Sequence, residues 1–499
     1  MKRKHVFSGL NRSVFDPTSP RGHGAMPGEK RLLFHSGRFA GLDRSTLDQA
    51  NPAPYAVKAK RGVSEEVIRR ISSDKKEPKW MLESRLKSFE VFRKMSLPKW
   101  GPNLRKLDLD DIIYYVRTGV TETDDWQKIP DEIRKVYDRL GIPQAERSVL
   151  AGVGAQYESE VIYHRLKKEW EKLGVIFLDL DVALRLHPDL VRKYFMKCVP
   201  ATDHKFAALH GAVWSGGTFL YVPRGVKVAE PLQAYFRMNA KNMGQFEHTL
   251  IIAEEGAEVS YIEGCSAPKY GSQALHAGLV EIFVKPGAKV RYSSVENWSR
   301  DTYNLNTKRA IIEQDATMEW IGGNMGSGTT MLYPCSVLAG KGARSDHFGL
   351  AFANEGQWQD TGAKVVHLAP HTSSKVISKS VSKAGGVCVY RGTLKIAPDA
   401  HDCTASVQCD ALLLDEISRA DTVPDIQVKN NAVTISHEAR VGKLSEENLF
   451  YLMSRGISGE DAKAMIVNGF IAPIVRLLPL EYAVEMNRLI ELEMEGSVG

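Results

Sequence analysis

Cysteine is scarce in this 499-residue chain: Cys198, Cys265, Cys335, Cys388, Cys403 and Cys409 are all there are, and no two of them form a CxxC pair. So few thiols make neither a disulfide framework nor a closed zinc site, and they fit a reducing compartment. Long hydrophobic runs are missing too, since no apolar stretch approaches the ~18 residues that suggest a membrane span. The opening MKRKHVFSGLNRSVFDP is basic but has no apolar h-region, which argues against a secretory signal. Asp16, Glu29, Asp43 and Asp48 argue against a plastid transit peptide, so a cytoplasmic location is expected, with the plastid stroma as the alternative. Nucleotide motifs are absent as well. GNMGSGTT lacks the P-loop lysine, and GKGARS lacks the required spacing. If ATP is used, another chain must hydrolyse it. No GxSxG or HExxH appears.

The net charge of +6 is local. Residues 1–60 hold 11 Lys/Arg against 4 Asp/Glu, which leaves the remainder near neutral. This basic arm has no accompanying nucleic-acid motif and reads as a solvated tail rather than a nucleic-acid grip. Residues 1–58, rich in Gly, Pro and Arg, read as a flexible extension. A mainly helical region is expected over 59–200. VSEEVIRRISSDK has Ser64 as its cap, and EPKWMLESRLKSFEVFRKM and YESEVIYHRLKKEWEKLG show helical spacing, the last stopping at Gly174.

From about residue 205 short strand-like runs alternate with turns. EEGAEV, KPGAKV, EQDATM, GKGARS and APDAHD place Ala257, Ala288, Ala316, Ala343 and Ala400 at intervals of 31, 28, 27 and 57 residues. The last interval is about two periods, and APHTSS around His371 fills the skipped place. A fixed period near 28 without helices predicts a parallel β-helix over 201–440, with two strands per coil and about 28 residues per coil. Helical spacing returns over 441–499, where Ser445 is the expected cap and Gly456 the stop of the first helix. The fold class is therefore mainly β with flanking α.

The period also brings chemistry together. One coil of 28 or 29 residues after Cys409 lie His437 and Glu438, so thiolate, imidazole and carboxylate are expected within one coil spacing, a donor set suited to iron. Cys403, six residues before Cys409, shares its face on an unbroken strand, and Asp410 faces the other way. Cys265 lies 144 residues before Cys409, about five coils or ~24 Å along the axis. It follows a glycine at the end of a strand run, where an exposed, reactive thiol is expected. Cys198, Cys335 and Cys388 read as core.

The blocks FRMNAKNMGQFEHTLIIAEEGAEVSYIEGCSAP, SVQCDALLL, HEA, LFYLMSRGIS and MIVNGF…LPLEYAVEMNRLIELEMEGSVG resemble the SufB/SufD family of iron–sulfur cluster assembly proteins, and its SufB branch in particular. The resemblance covers about 60–499 and implies a β-helix between helical domains. It implies a scaffold that accepts persulfide sulfur and iron, builds a nascent cluster and passes it to apoproteins. The implied partners are a SufC-like ATPase docked on the C-terminal helices, a SufD-like paralogue or second copy, and a cysteine desulfurase or sulfur-transfer protein. A nascent iron–sulfur cluster and iron are the expected cargo, with reduced flavin in the complex as a candidate cofactor on this resemblance. On this resemblance Cys265 accepts sulfur, Arg237, Asn239, Trp298 and Lys308 line an internal sulfur route, and Cys409, His437 and Glu438 hold the cluster. Glu296 stands where the family often has glutamine. The competing readings are a β-helix polysaccharide-active enzyme, which would need an outer groove and export, and a SufD-like structural subunit without the scaffold thiol.

Overall fold

A computed structural model describes residues 55–139, 142–269 and 271–495. The basic extension expected over 1–58 lies outside the described residues up to position 54.

Between Gly152 and Lys443 the chain winds into a parallel β-solenoid of two facing sheets. The first sheet has ten strands. It begins with the antiparallel hairpin Gly152–Tyr157 and Glu160–Leu166, then continues in parallel through Leu232–Arg237, Glu258–Ser266, Lys289–Asn297, Thr317–Asn324, Arg344–Ala353, Ser373–Ser382, Cys403–Leu413 and Val433–Lys443. In the second sheet the late strands Trp358–His367, Val387–Ile396 and Arg419–Val428 are unbroken, giving the expected two strands per coil. Four earlier coils split this segment, as in Ala274–His276 followed by Leu279–Val284.

Register sets the true period. Glu258 lies opposite Lys289, Lys289 opposite Thr317, Thr317 opposite Arg344, Arg344 opposite Ser373, Ser373 opposite Thr404 and Thr404 opposite Thr434, steps of 31, 28, 27, 29, 31 and 30 residues. Each coil enters the first sheet through a corner whose last residue points inward. The corner column is Ala257, Ala288, Ala316, Ala343, Thr372 and Cys403, all buried. The residue before each is left-handed: Gly256, Gly287, Asp315, Gly342, His371 and Asp402. Only glycine enters that region freely, with Asp, Asn and His tolerated, so this position reverses the chain where a small inward side chain follows. Ala400 was expected to occupy the corner. The longer turn shifts that place to Cys403.

The N-terminal region is less helical than its spacing suggests. Ser64 does cap the helix Glu65–Asp74, accepting from the Val67 amide, and Lys79–Lys94 is helical. The segment expected to form a helix up to Gly174 instead supplies the hairpin strand Glu160–Leu166 and a five-residue helix, Lys168–Lys172. Pairing of Gly152–Tyr157 with Leu232–Arg237, and burial of Val161, Ile162 and Tyr163, override the helix preference of its Glu and Lys residues. The parallel sheet therefore starts well before position 201.

Ser445 caps Glu446–Ser454 as expected, and Gly456 follows in the left-handed region. The helices Gly459–Val475 and Leu480–Glu495 do not pack only on each other. Val467, Ile471, Ile474, Met486, Leu489 and Ile490 join Ile262, Val295, Ile321, Leu350, Phe352 and Val381 on the outer face of the first sheet. They are part of the solenoid's own packing, so the sheet would lose an apolar cover if they were removed. No helix among the described residues is long and apolar enough to cross a membrane.

Candidate functional site

In a strand, alternate side chains face the same way, and parallel register stacks them coil upon coil. Three adjacent columns inside the first sheet follow from this. One is aromatic at its start, running Tyr261, Tyr292, Trp320, His347, Val376, Val407 and His437. Its first three rings lie 5.5 and 5.3 Å apart between centroids. The next runs Glu263, Ser294, Gly322, Gly349, Ser378 and Cys409. The third begins Cys265, Glu296, Asn324 and Ala351. Between Glu263 and Cys409 the middle column holds only Ser and Gly. A Cβ built on Gly322 or Gly349 would meet nothing nearer than Ser294 Oγ at 3.7 Å or Ser378 Oγ at 3.9 Å.

A buried polar network fills the first end of these columns. Lys308 Nζ donates to Glu263 Oε1 at 3.1 Å and to Glu296 Oε1 at 2.8 Å, with all three side chains about 1% exposed. Tyr292 Oη donates to Glu263 Oε2, and Asn304 Nδ2 donates to Glu296 Oε2, each at 2.5 Å. His276 bridges Asn304 and Glu247 and stacks on Trp298 at 4.1 Å between ring centroids. Arg237 donates to Ser266 Oγ at 3.0 Å, and the Asn239 amide donates to Glu158. Trp298 Nε1 is buried with no hydrogen-bond partner among the described residues.

Burial alone would lower the Lys308 ammonium, but Glu263 and Glu296 outweigh it and hold the group above the usual lysine range. Burial would raise Glu296, yet Lys308 and His276 hold it below the usual carboxylate range. Glu263 stays raised by burial, with Lys308 opposing. The carboxylate at position 296 is thus compensated by a cation in direct contact.

Cys265 is buried, against the expectation of an exposed thiol. Its strand runs to Ser266, so the cysteine points into the solenoid rather than off a strand end. Its Sγ donates to Glu263 Oε1 at 3.9 Å. Burial pushes this thiol well up, and Glu263, Glu296 and Glu247 add to the effect. Cys409, also buried, is pushed up to about 12 by burial, while contact with the Tyr390 hydroxyl from the facing sheet lowers it.

The 30-residue step at the last coil corrects the expected partners of Cys409. Ala439 lies opposite it, not His437 or Glu438. His437 faces inward two positions along and lines a small cavity with Tyr390, Val407 and Pro424. Glu438 is opposite Gln408 on the outer face, paired with Arg440 at 2.8 Å. The inner face therefore offers Cys409 and His437, and the carboxylate stands across the strand. Cys403 shares the inward face, bonded to Thr372 Oγ1 at 3.0 Å, and Asp410 turns outward to Lys379 at 3.2 Å. Cys198, Cys335 and Cys388 are buried, as expected of core residues.

Sequence reasoning missed Glu263, His276, Tyr292 and Asn304. Glu263 carried a usable signal: it sits two residues before Cys265 and so shares its face. The others come from separate strands, and only register brings them together.

Lys308→Met leaves two buried carboxylates without their cation and is expected to cost about 3–5 kcal/mol at pH 8. In the parent, the raised Lys308 contributes fully below the ordinary lysine value and is lost as pH rises through its folded value. The lowered Glu296 contributes above the ordinary carboxylate value and is lost as pH falls through its folded one. In the variant both carboxylates gain affinity for protons on folding, so the deficit should shrink as pH drops toward 5.5. Urea unfolding at both pH values measures this, and a pH-independent deficit would contradict it.

Comparison with known proteins matches this geometry to a family. The SUF system FeS cluster assembly SufBD core domain matches residues 236–470, and the SufBD protein N-terminal region matches 126–234. Relatives described as iron-sulfur cluster assembly SufBD family proteins, from Staphylococcus epidermidis, Staphylococcus saprophyticus and Staphylococcus aureus, are each 53% identical over 442 residues, covering 89% of this chain and 95% of the relative. The chain belongs to the SufBD family of iron–sulfur cluster assembly proteins.

Proposed function

We propose that this chain is the SufB-type scaffold of its assembly system, taking sulfur at Cys265 and building a nascent cluster at Cys409. The observation that carries the reading is the run of small residues Ser294, Gly322, Gly349 and Ser378, aligned between Glu263 beside Cys265 and the second thiol in one sheet. A SufD-like structural subunit would not need both thiols inside. Family membership displaces the polysaccharide-active alternative.

In the proposed transfer, Cys265 Sγ attacks the terminal sulfur of a persulfide carried by a cysteine desulfurase or sulfur-transfer protein. The Sγ–S bond forms, the donor's S–S bond breaks and its cysteine leaves as thiolate. The Cys265 proton passes to Glu263, whose oxygen already accepts it. Burial of Cys265 keeps a large donor out of contact in this conformation, so the step requires that coil to open. Lys308, Arg237 and Asn239, with the unpartnered Trp298 indole N–H, offer donors to an anionic persulfide along the route, and Lys308 offsets the charge of Glu296. Two electrons from reduced flavin in the complex, the proposed source, then cleave the S–S bond on Cys265, returning it as thiolate and releasing the outer sulfur as sulfide, which passes along the column to Cys409. Cys409 and His437 then hold iron and sulfide as cargo, Glu438 joining through a change at the open end, before delivery to apoproteins in the cytoplasm.

Two surfaces suit partners. The last strands of both sheets, Arg419–Val428 and Val433–Lys443, have an unpaired edge and expose Ile426, Val428 and Val441. An open parallel edge beside Cys409 fits a SufD-like paralogue or second copy that continues the sheets. The helix Glu446–Ser454 has no buried residue and exposes Phe450, Tyr451 and Met453. That face is the proposed seat of the SufC-like ATPase, and Phe450→Asp should abolish copurification with it while leaving thermal unfolding unchanged. Retained copurification would move the seat elsewhere.

The two thiols separate by assay. Cys265→Ala should block sulfur delivery from the desulfurase while leaving reconstitution with iron and free sulfide largely intact, and Cys409→Ala should fail in both. Persulfide trapping by mass spectrometry reads the intermediate directly. A persulfide forming directly on Cys409, or cluster forming from desulfurase sulfur at the parent rate, in the Cys265→Ala protein would refute the relay.

A further inference from the structure

We propose that His371, His401 and Asp402 form a surface site for a divalent first-row transition ion, separate from Cys265 and Cys409. They are the one group of three metal-ligating side chains within 4.8 Å of one another among the described residues. They come from two successive corners of the solenoid. The His371 amide donates to the His401 carbonyl at 2.9 Å, and the Asp402 amide donates to the Ala432 carbonyl at 2.7 Å, so the ladder itself fixes the three backbones.

The corner position explains how they meet. Elsewhere in this column the left-handed residue is Gly256, Gly287, Gly342 or Asp315, whereas these two consecutive coils carry His371 and Asp402. Stacking in register brings the His371 ring over the turn that holds His401 and Asp402, with the two imidazole centroids 5.3 Å apart. Asp402 Oδ2 lies 2.7 Å from His401 Nδ1 and 3.8 Å from His371 Nδ1. An ion bound at ~2.1 Å to nitrogen and oxygen places its ligand atoms ~3.0–3.4 Å apart, so small ring rotations close the site. The side chains are 46%, 50% and 58% exposed, which leaves them free to rotate and leaves the remaining coordination positions to water.

Two imidazoles and one carboxylate select Fe(II), Co(II), Ni(II) or Zn(II) over the oxygen-seeking Mg(II) and Ca(II). Seven residues of extended strand separate Asp402 from Cys409, ~23 Å, so neither site can share the other's ion. The inference stands on this cluster alone and holds whether or not the interior relay operates.

The test uses tag-free full-length chain, titrated anaerobically with Co(II) and followed by equilibrium dialysis and visible absorption. The Cys409→Ala protein should keep one equivalent of cobalt with a d–d spectrum and no thiolate-to-metal charge-transfer band. Adding His371→Asn and Asp402→Asn, both compatible with the left-handed backbone, should remove that equivalent while thermal unfolding stays unchanged. His401→Gln, at a position without the backbone constraint, should remove it too. Equal bound cobalt with and without these side chains would overturn the proposal.

Discussion

Parallel register is the constraint on which this molecule depends. Each coil must return to the sheet one strand spacing, ~4.8 Å, from the last with its inward residues aligned. The left-handed corner makes that return possible, and the buried residue after it anchors the turn in the core. Coil length varies between 27 and 31 residues because the extra residues are absorbed in turns. A one-residue slip in any strand would send its inward set to the outer face. The same register places Cys409 in the column of Glu263 and sends Glu438 outside.

Within that frame the interior does something unusual for a β-solenoid: it buries charge. Glu263, Glu296 and Lys308 lie inside with the first thiol and are mutually satisfied by charge and hydrogen bonds. Charges removed from water so completely are costly unless paired, and this arrangement stabilises the fold little compared with an apolar core. In the proposed relay it supplies a fixed cation, a proton acceptor for Cys265 and polar walls. Burial pushes both thiols up, so the proposed uptake of sulfur and metal would be coupled to proton release.

The solenoid was legible because a corner motif recurs at a nearly constant interval, and the capped helices were legible because Ser64, Ser445 and Gly456 carry local signals. The hairpin around Glu158 was not, since 157–174 shows helical spacing and only pairing with Leu232–Arg237 makes its start a sheet. At the site, Cys265 and Lys308 both contact Glu263, a juxtaposition that only register reveals. The partners of Cys409 were misplaced by one or two positions because a mean period of 28 or 29 does not describe a 30-residue step. In a structure of period two along each strand, that small error changes which face a ligand occupies.

The small-residue column is the proposed link between the Cys265 network and Cys409. Gly349 lies midway, and a Cβ there meets nothing nearer than Ser378 Oγ at 3.9 Å. The direct measurement is cluster formation from desulfurase-supplied sulfur, followed by anaerobic absorption, in Gly349→Leu compared with the parent, with mass spectrometry reading the persulfide on Cys265. Loading of Cys265 should persist and reconstitution from free sulfide should be retained, while cluster formation from desulfurase sulfur is lost. Cluster forming from desulfurase sulfur in Gly349→Leu as fast as in the parent would overturn the link.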